Sequence, residues 1–265
     1  MGQFFDSISD DHAEWIKKQK IFFVATAPAS VKGTVNTSPK GYDSLRILGP
    51  NAVCYLELSG SGIETQSHLE ENGRITLMLL AFEGGPRIMR LIGRGRVVRL
   101  GSPEYNDIIS AHYQNPESQP VVNSVGCRGI IMVDVRKVGT SCGYAVPYFD
   151  YKGPRPTLLN GFAKKEEEKV TDYWRTYNAV SLDGLPGMRH ERMGPEWLGS
   201  YHRTALTLDE NIVGYEADGP GSSALLMSLS RSSKNWTALI APRLLIDLVV
   251  LTTGICIGVL ATRRR

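Results

Sequence analysis

Apolar residues come in short runs separated by turn-forming clusters, the spacing of a sheet protein rather than a helical one. Residues 21–26, 52–58, 74–81 and 128–138 are rich in β-branched and aromatic side chains and read as buried strands. Shorter strands are expected at 35–37 and 45–48, the second closed by the turn Gly49-Pro50-Asn51. Residues 87–100 alternate, with Arg90, Arg94 and Arg96 on one parity and Met89, Leu91 and Val97 on the other. Helices are fewer. Asp10 or Asp11 can cap one running through Lys20, and Glu64 to Glu71 forms a short polar one stopped by Asn72-Gly73. Pro103 opens another to about Tyr113, and residues 161–178 read as a solvated helix ending in Tyr173, Trp174 and Tyr177. Five or six strands without regularly interleaved helices predict a mainly β fold closed into a barrel or sandwich, not a doubly wound parallel sheet.

The C-terminal pattern differs. Residues 215–235 are rich in Gly and Ser and read as a flexible linker. From 244 to 261 the only charge is Asp247, and Arg263-Arg264-Arg265 follows. Eighteen helical residues span about 27 Å, near the thickness of a bilayer's hydrocarbon core, so a membrane anchor is expected there. Arg243, four residues before Asp247, can pair with it near the interface. The first eleven residues are polar and acidic and do not read as a signal peptide, which places the folded part in the cytoplasm.

Composition adds limits. The chain is 42% apolar and 22% charged, ordinary for a globular protein, and its net charge of +3 is too small to imply nucleic acid. Nor do aromatic residues interleave the arginines at 87–99, as a nucleic-acid surface would need. Cys54, Cys127, Cys142 and Cys256 are scattered, without zinc or dense disulfide spacing, so reduced thiols are expected. Cys142 has no nearby histidine to activate it and reads as a packed thiol.

Candidate chemistry concentrates in two polar stretches flanking the strand at 52–58. The first, residues 35–41, supplies Ser38, Lys40 and Gly41; the second, residues 60–68, supplies glycines, Thr65 and His68. Hydroxyls, exposed backbone and a lysine suit a phosphate-bearing ligand, and a guanidinium from Arg90 or Arg94 could grip the same anion. The Gly60-Ser61-Gly62 stretch lacks the third glycine and the long helix of a dinucleotide fingerprint.

These motifs carry a resemblance. Val-Asn-Thr-Ser-Pro-Lys-Gly at 35–41, Gly-Ser-Gly-Ile-Glu-Thr at 60–65 with His68-Leu69 and Asn72-Gly73-Arg74-Ile75, Pro-Arg-Ile-Met-Arg-Leu-Ile-Gly at 86–93 and Ser-Cys-Gly-Tyr-Ala-Val-Pro at 141–147 resemble the fungal branch of the pyridoxamine 5′-phosphate oxidase-like family. The resemblance covers roughly residues 1–190 and implies a six-stranded antiparallel split β-barrel with peripheral short helices, dimerising around two FMN molecules. Together with the C-terminal pattern, which lies outside the resemblance, this divides the chain into an FMN-binding barrel at 1–150, an extension packed on it at 151–214, the linker at 215–235 and the anchor at 236–265. The resemblance implies that Ser38, Lys40, Gly41, Thr65 and His68, with Arg90 and Arg94 in support, would lie beside the flavin or its phosphate. Function would be that of an FMN-dependent oxidoreductase with a small redox substrate, or a non-catalytic flavin or haem module held at a membrane. One departure stands out: Ile63-Glu64-Thr65 falls where the oxidases carry a basic pair on the phosphate, and Glu64 would repel one. A counterpart of their C-terminal Arg/His motif is also missing, so vitamin B6 synthesis is not expected.

Overall fold

The expected strands form in the computed structural model, which describes residues 2–194. Eight strands are present among the described residues: β1 (Gln3–Phe5), β2 (Phe22–Thr26), β3 (Asn36–Lys40), β4 (Leu45–Gly49), β5 (Ala52–Leu58), β6 (Arg74–Leu80), β7 (Ile88–Arg99) and β8 (Cys127–Ser141). They make one antiparallel sheet in the order β3-β2-β6-β7-β8-β5-β4, with β1 also on β8.

The long strand β8 is the hub. It pairs with β7 along one side, and with β5 and then β1 along the other. The sheet curls so that strands far apart in its order meet through side chains. Phe22 of β2 and Tyr55 of β5 touch edge to face, with ring centroids 5.3 Å apart, and Lys40 of β3 reaches Glu57 of β5. Val24, Tyr55, Leu77, Leu91, Ile131 and Val133 fill the enclosed core.

Around the sheet lie α1 (Asp10–Lys18), α2 (Glu64–Glu71), α3 (Pro103–His112), α4 (Gln119–Val122), α5 (Thr157–Ala163) and α6 (Glu167–Tyr177). Ser9, not Asp10 or Asp11, caps α1, by a reciprocal pair of bonds with His12. Pro103 occupies the first turn of α3, as the sequence predicts, and Ser102 caps it. A second core of Cys54, Leu56, Tyr105, Tyr113 and Ile130 lies under α3. A third joins Ile63 at the start of α2 to Phe162, Val170, Trp174 and Met188 of the extension.

Three expectations are corrected. The sheet has eight strands, not six: Gln3, Phe4 and Phe5 are exposed, and only their long-range pairing with Val138, Gly139 and Thr140 makes them a strand. The short strand expected at 35–37 runs over Asn36–Lys40 and takes in most of the polar stretch, whose inward positions carry polar groups and give no apolar alternation. Its Pro39 is tolerated because β3 pairs on one side only. Finally, the helix expected at 161–178 is two, broken at Lys164–Glu166. The linker, the apolar tail and the end of the 151–214 extension lie outside the described residues, among which no helix is long and apolar enough to cross a membrane.

Candidate functional site

Alternation on β3 turns Asn36, Ser38 and Lys40 to one face. Ser38 Oγ donates to Asn36 Oδ1 at 2.9 Å, and Asn36 Nδ2 donates to Thr26 Oγ1 and to Thr65 Oγ1, each at 3.1 Å. Thr26 Oγ1 lies 3.0 Å from His68 Nδ1. Ser38, Thr65 and His68 are therefore brought together, through Asn36 and Thr26. The other ring nitrogen, His68 Nε2, is buried without a hydrogen-bond partner, 3.9 Å from Asp183 Oδ2. Burial holds the His68 pKa below its ordinary value, against the pull of Asp183, Glu64 and Glu71.

Lys40 belongs to a second cluster. Its Nζ donates to Glu57 Oε1 at 3.0 Å, and Arg128 Nη2 donates to the same oxygen at 2.9 Å. Arg128 Nη1 also donates to the Gly62 carbonyl at 3.0 Å. Burial pushes the Glu57 carboxyl up, but the two cations outweigh it and hold the group down at about 2. Two cations sharing one carboxylate leave this cluster positive. Burial, and then Glu57, push the neighbouring Tyr55 phenol well up, so it stays protonated.

The arginines on β7 are not gathered with these residues. Arg90 Nη1 lies 3.5 Å from Ser141 Oγ, and exposed Arg94 donates to the Asn72 carbonyl at 2.8 Å. Four residues of strand separate them by about 13 Å.

The start of α2 does not fit a phosphate. Residues Thr65 to Leu69 are all buried, and the segment after α6 lies against this turn. Asn178 Nδ2 donates to the Gly60 carbonyl at 2.8 Å, and Leu182 N donates to Glu64 Oε1 at 3.2 Å. Asp183 accepts from both the backbone and the hydroxyl of Thr34 at 2.9 Å. Contact at Gly187 is so close that a Cβ there would come within 2.8 Å of Ile63 Cγ2. Protein fills the space, and Glu64 and Asp183 bring negative charge to it.

A cleft of about 1300 Å³ opens elsewhere, beside the end of β3. Lys40 and Gly41 line it, with the aromatic rings of Trp15, Tyr42, Phe82, Phe149 and Tyr151. Five basic side chains face it, Lys18, Lys20, Lys40, Arg87 and Arg155, against the acids Glu83 and Asp150. Tyr42 sits at φ 59°, a left-handed conformation costly for a bulky residue, and its hydroxyl is tied to the Arg155 carbonyl at 2.7 Å. A planar aromatic anion fits this lining by stacking and charge.

Of the residues read from the sequence, Lys40 and Gly41 line the cleft, Ser38, Thr65 and His68 form the buried network, and Arg90 and Arg94 join neither. Sequence reasoning missed Asn36, Thr26, Glu57, Arg128 and Asp183. Glu57 and Arg128 did carry a signal: each is a charge set inside an apolar strand, which is stable only when paired.

No protein-family model matches the chain. It is 36% identical over 203 residues to the pyridoxamine 5′-phosphate oxidase family protein ustO of Aspergillus flavus, an alignment covering 71% of this chain and 78% of the relative. The chain belongs to the pyridoxamine 5′-phosphate oxidase family. Similar solved structures include the H111A variant of HupZ of Group A Streptococcus, at 21% identity and TM-score 0.39, which spans 51% of this chain and 99% of its own. A putative pyridoxamine 5′-phosphate oxidase from Lactobacillus delbrueckii matches 51% of this chain and 94% of its own, at 11% identity and TM-score 0.37.

Proposed function

We propose that the chain is a split-barrel flavoprotein that binds FMN in the cleft beside β3 and acts as an oxidoreductase on a small redox substrate. The observation that carries this reading is the cleft itself, where five aromatic rings and an excess of cations border the strained turn at Tyr42. Family membership supports a flavin over other planar anions. The flavin would supply the electron-transfer chemistry, and the chain would supply stacking surface, positive field and access. Cation faces already rest on aromatic rings at the rim: Arg87 over Trp15 at 5.7 Å and Lys20 over Tyr151 at 5.8 Å.

The haem alternative finds less support. No histidine, cysteine or methionine is among the residues lining the cleft, and His68 is fully buried behind Asp183. The reading also includes a homodimer, for which the exposed Val35, Tyr144 and Tyr148 offer apolar surface, and a membrane tether through residues 244–261.

Titration with FMN, followed by flavin fluorescence and by the absorbance of the repurified protein, tests the reading. Saturable quenching with retained flavin bands is expected. A protein that neither co-purifies with flavin nor quenches it overturns the reading, and a Soret band after haem addition would put the haem alternative in its place.

A further inference from the structure

The start of a helix is the ordinary place to hold a phosphate, because its N–H groups and dipole favour an anion. Here that place is closed. Residues 178–187 of the extension are laid over the start of α2, with Asn178 on Gly60, Leu182 on Glu64 and Asp183 on Thr34. The acids Glu64 and Asp183 add repulsion, and the carboxylate of Glu64 already accepts a bond there.

Cations without carboxylate partners are found in the cleft instead. Lys40 is bound to Glu57, but Lys18, Lys20, Arg87 and Arg155 make no ion pair with any described residue. Two of them are backed by aromatic faces, Arg87 by Trp15 and Lys20 by Tyr151. A guanidinium without a carboxylate partner keeps its N–H donors available, and its planar fork suits two parallel bonds to a phosphate.

We infer that this chain holds the phosphate of a flavin monophosphate with Arg87 and Lys20 in the cleft, and that its extension has closed the helix-start site at α2. The inference rests on the flavin reading above and adds to it the anion subsite. It assigns residues 178–187 a role as a permanent cover of α2, and makes Arg87 and Lys20 the residues that discriminate a phosphorylated ligand from its unphosphorylated form.

The test compares FMN with riboflavin on the full chain, since the two differ only in the phosphate. Loss of one charge-assisted contact corresponds to about tenfold in affinity. Arg87→Ala and Lys20→Ala should each weaken FMN about that much and leave riboflavin within about twofold. Glu64→Gln removes the repelling charge at α2 and should change neither. Selective tightening of FMN by Glu64→Gln, or equal effects of Arg87→Ala on both flavins, overturns the inference while the flavin reading survives. Inorganic phosphate, followed by ³¹P line broadening, separates the remaining cases. Broadening that Arg87→Ala abolishes, without binding of either flavin, upholds the anion subsite and sinks only the flavin. Absence of both sinks both.

Discussion

Glu57 has no access to solvent, and both of its cationic partners reach the same oxygen. An ionised carboxylate in that position is stable only while Lys40 and Arg128 remain, and the reverse holds for Arg128, itself buried. Glu57→Gln should therefore cost about 3–5 kcal/mol, read as a lower denaturation midpoint, because it strands a buried cation. The pH dependence has a definite sign. The folded pKa of about 2 is below the ordinary 4.5, so the stabilisation is full above 4.5 and is lost as pH falls from there to about 2. Glu57→Gln should flatten the acid limb of a Tm-against-pH curve in that window; an unchanged limb would assign acid unfolding to other groups. His68 acts at higher pH. Its folded pKa also lies below its ordinary 6.5, so a neutral, buried imidazole stabilises fully above 6.5 and progressively less as pH falls below it. Substituting His68 by Gln should remove that part of the slope, with folding checked by circular dichroism, since the Thr26 bond is at stake.

Two elements decide how the sheet and its cover hold together. On β7 a register shift falls between Ile92 and Gly93 opposite β8. A Cβ at Gly93 would sit 2.1 Å from the Asp134 carbonyl oxygen, a backbone atom that cannot swing aside. Gly93→Ala should cost about 3 kcal/mol or more, at the upper end for overpacking, whereas Gly49→Ala on β4 meets nothing within 4 Å and should fold normally. On α6, Trp174 is wholly buried and donates from Nε1 to Ser59 Oγ at 2.7 Å. Trp174→Ala should loosen the extension by about 3–5 kcal/mol. Limited proteolysis should then cut within residues 157–194 while the sheet stays intact, and an unchanged cleavage rate would show that Trp174 does not hold the extension.

Elements such as β2, β5, β6 and β8 were legible because their side chains are apolar on a strand period, and α3 because Pro103 marks its start. β3 was legible only in its first residues, at 35–37, because its inward face is Asn36, Ser38 and Lys40, whose partners Thr26, Thr65 and Glu57 are 10, 29 and 17 residues away. Nothing local announces such pairings. The cover over α2 was hidden for the same reason: Asp183 meets Thr34 across 149 positions, a contact that only the folded chain creates.

At the scale of the whole molecule, two segments of opposite character share one chain. The described part buries its apolar residues in three cores, while residues 244–261 carry eighteen positions with Asp247 as the only charge. A helix of that length matches a bilayer at about 27 Å, and placing Asp247 one turn inside costs about 1–3 kcal/mol, which Arg243 can offset by pairing at i,i+4. Eighteen residues with so little charge far outweigh that cost, so we propose that the tail inserts. Fractionation without detergent should find the full chain in the membrane pellet and a version ending at residue 230 in the supernatant. Asp247→Leu should leave the full chain in the pellet and make it harder to extract with carbonate, because it removes the one polar cost while keeping Arg243 at the interface. Equal solubility of the full and shortened chains would mean that these apolar residues are buried against protein, and the tether would be withdrawn without touching the cleft.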